Sequence, residues 1–420
     1  MASDLSDRTF WITKEEEIKR AEATDHYFLN AERALRKSGL NPRVTMEVYC
    51  RKDPYGEGWA LASGIYEVAK LLEGVHVDVD AVEEGTLIAT PGDGVAYEPV
   101  LQVTGRYADF ARYETPLLGF LSSSSGYLTK AARVRLAAGE KQLLSFGTRR
   151  AHPALSALIE RSAYLAGFDG VSNVAAARLL GIGGSGTMPH SFILCFPDQA
   201  EAWKAFADAA EGEKVVALAD TLSDEKEESV MALRTLGRKL AGVRLDTPSS
   251  RRGDWRKLIE EVRWELDTRG GKEVSIFISG GLDEAEVRAL GDVVDGFGVG
   301  TSVSGAPSID FNMKVVEVEG AGGAMVPKAK RGDISGAKSL YRNLGTHEDL
   351  LMPKRLEPPE GFVPLLSPLV RDGRVVRRFL PLDRLRERIG LSLKAGPQRV
   401  RLLSRASPGR AGRSRRAGTR

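Results

Sequence analysis

The residues best able to do chemistry lie in one stretch, Gly183-Gly184-Ser185-Gly186-Thr187-Met188-Pro189-His190-Ser191. Glycine carries no Cβ, so its backbone N–H groups can approach an anion closely. A hydroxyl at Thr187 and an imidazole at His190 follow. An imidazole can donate or accept a proton or act as a nucleophile. The combination suits a phosphate-handling loop that ends in a nucleophile or acid–base group. Taken alone, the same residues also read as a surface turn leading into an apolar strand at 192–196, with a histidine as a cap.

A second group of polar residues recurs where apolar runs end. Gly147-Thr148-Arg149-Arg150 follows 142–146, Asn173 ends 170–173, and Asp220-Thr221 follows 215–218. Asp246 closes Gly242-Val243-Arg244-Leu245, Ser279-Gly280-Gly281 follows 275–278, and Gly300-Thr301-Ser302 follows 296–299. Six such coincidences argue for one site. The last two resemble the paired loops by which late barrel strands hold a phosphate, where glycine, a threonine hydroxyl and backbone N–H groups suit that ligand.

Elements that would position these residues are legible from about Lys141 onward. Apolar strands are expected at 142–146, 170–173, 192–196, 215–218, 243–245, 274–278 and 296–299, with helices at 153–166, 198–210, 224–240, 255–267 and 283–290. Repeated βα units imply parallel strands in a barrel or wound sheet, with a site at their carboxyl ends. Before them come a charged helical lead-in at 10–40, an alternating strand at 43–50, a helix at 60–73, short strands over 75–103 and a helix at 107–138. After Val318 the rhythm is lost, and a basic loop and Pro- and Arg-rich segments suggest a region that wraps back to the N-terminal part.

The 420 residues imply two or three domains. Two cysteines, Cys50 and Cys195, exclude a disulfide framework and a four-cysteine zinc site, and both read as buried thiols. The first residues are polar and acidic, unlike a signal peptide, and no apolar run approaches a membrane span, so a cytoplasmic protein is expected. The net charge of +3 hides an asymmetry. Residues 395–420 hold eight arginines and no acid, leaving about −5 (3 − 8) on the remainder. That tail is expected to be disordered. With no interleaved aromatics and an acidic body, it argues against nucleic-acid binding.

Several motifs together resemble nicotinate phosphoribosyltransferase, which joins nicotinate to phosphoribosyl pyrophosphate. They are Thr24-Asp25-His26-Tyr27-Phe28, Ser145-Phe146-Gly147-Thr148-Arg149-Arg150, Gly186-Thr187-Met188-Pro189-His190-Ser191, Val243-Arg244-Leu245-Asp246 and Gly298-Val299-Gly300-Thr301. The resemblance covers residues 24 to about 345. It implies an α/β fold: an incomplete (β/α) barrel with a discontinuous N-terminal α/β domain and a wrapping C-terminal region. The corresponding boundaries are 1–138, 139–318, 319–394 and the tail 395–420. It further implies a homodimer with shared sites, NAD salvage as the setting, and Mg²⁺ travelling with ATP and phosphoribosyl pyrophosphate.

By the same resemblance, His190 is the histidine phosphorylated by ATP. Tyr27 reaches into the neighbouring subunit and Phe146 lies on the other face of the pyridine ring. Thr187 and Arg244 hold the carboxylate end of nicotinate, Arg149 and Asp246 the phosphoribosyl group, and Gly281, Gly300 and Thr301 the 5′-phosphate. Two departures stand out. No cysteine follows Cys195, so the zinc knuckle of some members is absent and no zinc is expected. Asp246 is followed by Thr247-Pro248-Ser249-Ser250-Arg251-Arg252-Gly253-Asp254, longer than the compact acidic turn of many members, which leaves the role of Asp254 open. A nicotinamide-using sibling, a quinolinate enzyme and a non-catalytic binding protein on the same fold are the competing readings.

Overall fold

The structure is a computed structural model that describes residues 8–91, 98–354, 356–395 and 399–402. The chain divides into two units, each assembled from separated segments. One comprises Met1–Ser125, Ile309–Leu380 and Lys394–Arg420, the other Gly126–Ser308 and Pro381–Leu393.

The first unit is built on a seven-stranded antiparallel sheet. Its order is Met325–Pro327, Asp310–Glu319, Arg43–Lys52, Pro99–Arg106, Val77–Ala81, Ser367–Arg371, Arg374–Val375. Strand Arg43–Lys52, third of the seven, is buried on both faces over most of its length, which places Glu47 in the interior. Lys338 neutralises it, Nζ to Oε2 at 2.7 Å, and burial still pushes the Glu47 carboxyl above its ordinary value. Val68 and Leu72 of helix Ile65–Leu72 join the core on this sheet.

The second unit positions the site. Its six parallel strands are β1 (Gln142–Ser145), β2 (Gly170–Val171), β3 (Val215–Leu218), β4 (Leu240–Leu245), β5 (Ser275–Ser279) and β6 (Gly296–Val299). They pair in the order β2-β1-β6-β5-β4-β3. That is the cyclic order of a barrel broken at one place, between β2 and β3. The expected incomplete barrel is therefore present as a parallel half-barrel sheet. Alternating burial explains the strands: Val243 and Leu245 of β4 and Ile276 and Ile278 of β5 are fully inside. Helix Trp255–Thr268 buries Trp255, Ile259, Val262 and Leu266, spaced along one face.

The glycine-rich stretch lies at the break. Ser185 N–H donates to Val171 O at 2.8 Å, and Gly184 forms a parallel bridge with Val171. Gly170 must lack a Cβ here, because one would collide with the Ser185 side chain.

Several expectations are corrected. Residues 192–196 are not a strand: His190–Ile193 is a short helix, and Phe192 meets Phe196 four residues on at 5.0 Å and Phe206 at 5.8 Å. The apolar residues there follow a helical spacing with only Ile193 buried, and Cys195 is exposed rather than buried. The first boundary falls at 125/126 rather than 138/139, inside helix Glu114–Ala138. Strand Asp310–Glu319, grouped with the barrel from sequence, pairs with Arg43–Lys52 in the first unit. The region 319–394 is also divided. Ser367–Arg371 pairs with Val77–Ala81, whereas Arg386 of helix Leu382–Ala395 donates to Phe168 O at 2.6 Å in the second unit. Within the expected tail, Arg399–Leu402 forms a strand parallel to Glu348–Pro353. The alternation Arg399-Val400-Arg401-Leu402 is a strand pattern set among the arginines. The remainder of the tail lies outside the described residues. No helix among the described residues is long and apolar enough to cross a membrane.

Candidate active site

The carboxyl ends of β1, β3, β4, β5 and β6 carry Phe146, Asp220, Asp246, Ser279 and Gly300 respectively, and the stretch ending in His190 joins them. Pro189 is the N-cap of the short helix that begins at His190. The imidazole is half-exposed. Its Nδ1 lies 3.2 Å from Thr221 Oγ1, and its Nε2 lies 3.5 Å from Asp246 Oδ2 and 3.9 Å from Asp220 Oδ1.

The two carboxylates are fixed to each other and to the strands. Asp246 N–H donates to Asp220 Oδ2 at 2.9 Å, and Ser279 Oγ donates to Asp246 Oδ1 at 2.7 Å. The Asp220 side chain is only 2% exposed, and its Oδ1 has no hydrogen-bond partner among the described residues. Burial pushes its carboxyl up to about 6; the Asp246 carboxylate adds to the rise, and His190 and Arg244 oppose it. The loop after Asp220 is held by the buried Glu228, whose carboxylate accepts from the N–H groups of Thr221 at 2.9 Å and of Leu222 and Ser223 at 2.6 Å each.

Arg244 leans from β4 toward the glycine-rich stretch. Its Nη1 donates to Thr187 Oγ1 at 2.6 Å and its Nη2 to Met188 O at 3.4 Å. Its Cζ sits 5.8 Å from the centre of the Phe146 ring, within cation–π range. Its Nε is buried and unpartnered among the described residues, and burial lowers the guanidinium below its ordinary pKa. Phe146 packs over Gly298, where a Cβ would strike the ring. Gly147 abuts Gly300 in the same way: a Cβ on it would lie 2.7 Å from Gly300 O.

His190, Thr187, Arg244, Phe146 and Asp246 thus form one connected cluster. Arg149, in the turn Thr148–Arg150 after β1, is exposed and near enough to Arg244 to oppose its charge. Gly281 and Thr301 are exposed at the ends of β5 and β6, and Gly280 and Gly281 take φ of 94° and 71°, which favours glycine. Tyr27 belongs to the first unit, on helix His26–Ser38. It is 58% exposed and tilted against Phe28. Asp254 caps helix Trp255–Thr268 by accepting from Lys257 N–H at 3.3 Å.

Asp220, Thr221 and Ser279 are legible in the sequence only as polar residues closing apolar runs, without a role, and Glu228 is not among the expected site residues. Asp220 had a legible signal, an acid directly after an apolar strand. Glu228 had none, because it lies in the acidic first turns of helix Glu225–Leu236 and reads as solvated.

The comparisons with known proteins agree with this geometry. Residues 25–125 match the quinolinate phosphoribosyl transferase N-terminal domain family and residues 128–314 the corresponding C-terminal domain family. A nicotinate phosphoribosyltransferase of Mycobacterium tuberculosis is 32% identical over 416 residues, spanning 90% of this chain and 88% of its own. A solved nicotinate-nucleotide pyrophosphorylase from Pyrococcus furiosus is 44% identical with a TM-score of 0.87, covering 92% of this chain and 98% of its own. Human nicotinic acid phosphoribosyltransferase, 23% identical with a TM-score of 0.72 over 91% of this chain and 98% of its own, shares the fold. Fold and site together define an enzyme of the phosphoribosyltransferase class, built on the quinolinate phosphoribosyl transferase fold. Within that class the chain belongs to the nicotinate phosphoribosyltransferase family.

Proposed function

We propose that the enzyme joins nicotinate to phosphoribosyl pyrophosphate, releasing nicotinate mononucleotide and pyrophosphate in NAD salvage, and that ATP drives the reaction through phosphorylation of His190. The observation that carries the substrate assignment is Arg244. A half-buried guanidinium whose Nε is buried and unpartnered among the described residues, lying over an aromatic ring, fits a flat ring that bears a carboxylate. Phe146 would stack on the pyridine while Arg244 and Thr187 take the carboxylate. Tyr27 would complete the stack from a second copy of the chain, making the working enzyme a homodimer.

Attack by the pyridine nitrogen on C1 of the ribose breaks the bond to pyrophosphate through a sugar of cationic character. Gly281, Gly300 and Thr301 would hold the 5′-phosphate, with Arg149 and Asp246 on the phosphoribosyl group. Before that step, a lone pair of neutral His190 attacks the γ-phosphorus of ATP and ADP leaves; water later cleaves the N–P bond to release phosphate. Asp220 and Asp246 stabilise the imidazole as it gains positive character. The phosphoryl group then places negative charge near the developing sugar cation.

Among the described residues no cluster of three or more His, Cys, Asp or Glu side chains forms a metal cage. The orphaned Asp220 Oδ1 and the Asp246 carboxylate offer hard oxygens, which fits an Mg²⁺ that keeps most of its waters and arrives on a polyphosphate. When bound, such an ion would supply positive charge to offset that of the departing pyrophosphate.

Quinolinate is the second reading, favoured by the two matched domain families. The test is product formation from phosphoribosyl pyrophosphate and Mg²⁺ with nicotinate, nicotinamide or quinolinate, each with and without ATP. Turnover with nicotinate, raised by ATP, is expected. Preference for quinolinate with release of CO₂, or for nicotinamide, would overturn the assignment of Arg244. No turnover with any of them would point to a binding protein.

A further inference from the structure

The extended segment after Asp246, Thr247 to Asp254, carries an arginine that the reaction described above does not use. Arg252 Nε donates to Thr247 O at 2.6 Å, its Nη2 donates to Gly280 O, and its Cζ lies 3.8 Å from the centre of the buried Trp255 ring. Two carbonyls and an aromatic face therefore immobilise the guanidinium. A carbonyl carries no formal charge, so these bonds orient the group without neutralising it, and the Glu286 and Asp246 carboxylates act on it only through space. Of its five N–H donors, the two carbonyls engage two.

Its position gives that charge a use. The acceptor at Gly280 opens the turn Gly280-Gly281, whose positive φ values aim backbone where a side-chain-bearing residue is strained. A Cβ at Gly280 would stand 2.9 Å from Asp246 Oδ1 and 3.2 Å from Arg252 Nη2, so the turn, Asp246 and Arg252 converge. Gly281 next to it is exposed. A fixed cation against an open glycine turn suits a phosphate group.

We infer that Arg252 binds a phosphate group of the phosphoribosyl substrate at the Gly280-Gly281 turn. The inference rests on the phosphoribosyl reading of this site. The lengthened segment after Asp246 is then a device that brings a guanidinium, stacked on Trp255, to a turn that otherwise offers backbone alone. The phosphate is either the 5′-phosphate or part of the diphosphate.

Calorimetric titration of the full chain with ribose 5-phosphate and, separately, with pyrophosphate distinguishes the two, and needs no turnover. Arg252→Gln should weaken one of them about 10–100-fold, the loss of a charge-assisted hydrogen bond, while nicotinate binding changes less than about 2-fold. Loss confined to ribose 5-phosphate assigns the 5′-phosphate; loss confined to pyrophosphate assigns the leaving group. Arg252→Lys keeps the charge but not the planar fork, and should fall between wild type and the glutamine variant. Wild-type affinity for both ligands in Arg252→Gln, or in Arg252→Lys should the glutamine variant fail to fold, overturns the inference. A wild-type chain that binds neither overturns it together with the phosphate site. A chain that binds ribose 5-phosphate through Arg252 yet turns over none of the three pyridines leaves the inference standing and sinks the functional reading.

Discussion

Replacing Asp220 by asparagine should stabilise the second unit while damaging its chemistry. The carboxyl is buried and titrates at about 6, against an ordinary value of 3.8. The fold therefore binds this proton more tightly than the unfolded chain does. The stability contributed by the group is full below about pH 4 and lost as pH rises through about 6. At 1.36 kcal/mol per pH unit the loss at neutral pH is about 3 kcal/mol. Asparagine keeps an oxygen to accept from Asp246 N–H, the bond now made at 2.9 Å, and carries no charge to bury. Asp220→Asn should thus gain about 1–3 kcal/mol at pH 7.5 by chemical denaturation. For a unit of roughly 200 residues that is a rise in Tm of about 3–10 °C. The gap should shrink as pH falls through 6 and vanish near 4. In the same protein, ATP-dependent turnover should drop on the order of 10²-fold, because the imidazole loses one of the two carboxylates that face it. A variant less stable than wild type at pH 7.5, or a gap that does not change between pH 4 and 7.5, would refute the reasoning.

Three other substitutions probe the neighbouring contacts. Gly298→Ala drives a methyl group against the Phe146 ring, so it should cost about 1–3 kcal/mol in thermal melts and raise KM for nicotinate more than for phosphoribosyl pyrophosphate. Glu228→Gln loses three charge-assisted backbone bonds and should destabilise by about 1–3 kcal/mol, with faster proteolysis at Thr221–Ser223. His190→Ala should abolish incorporation of label from γ-labelled ATP and the stimulation by ATP; label retained in the variant would place the phosphoryl acceptor elsewhere.

The half-barrel was legible because its strands are short apolar runs closed by polar residues, a local signal. Phe146, Arg244 and Asp246 could be placed for the same reason: each sits within or directly after such a run. The stretch at 192–196 misled because five apolar residues have the length of a strand, whereas Phe192 and Phe196 meet only when wound as a helix. Glu228 and Arg252 were hidden because their roles come from partners that the fold supplies: backbone N–H groups of a loop in one case, and a carbonyl 28 residues away in the other. The division into units was misplaced for a similar reason. Nothing local to Asp310–Glu319 says that it pairs with Arg43–Lys52, nor does the sequence of helix Leu382–Ala395 reveal that most of it joins the half-barrel unit.

That last pairing bears on how the chain comes into being. Strand Arg43–Lys52 needs Asp310–Glu319 beside it, Val44 against Val318, and some 260 residues separate them. At a synthesis rate of about 5–20 residues per second, the wait is on the order of 13–50 s. All six strands of the half-barrel leave the ribosome within that interval and can pair. One edge of Arg43–Lys52 meanwhile has no neighbour, an invitation to association with other nascent chains. The inserted catalytic unit is thus the guest that assembles first, and the host sheet, open until its late strand arrives, sets the period in which newborn chains need protection.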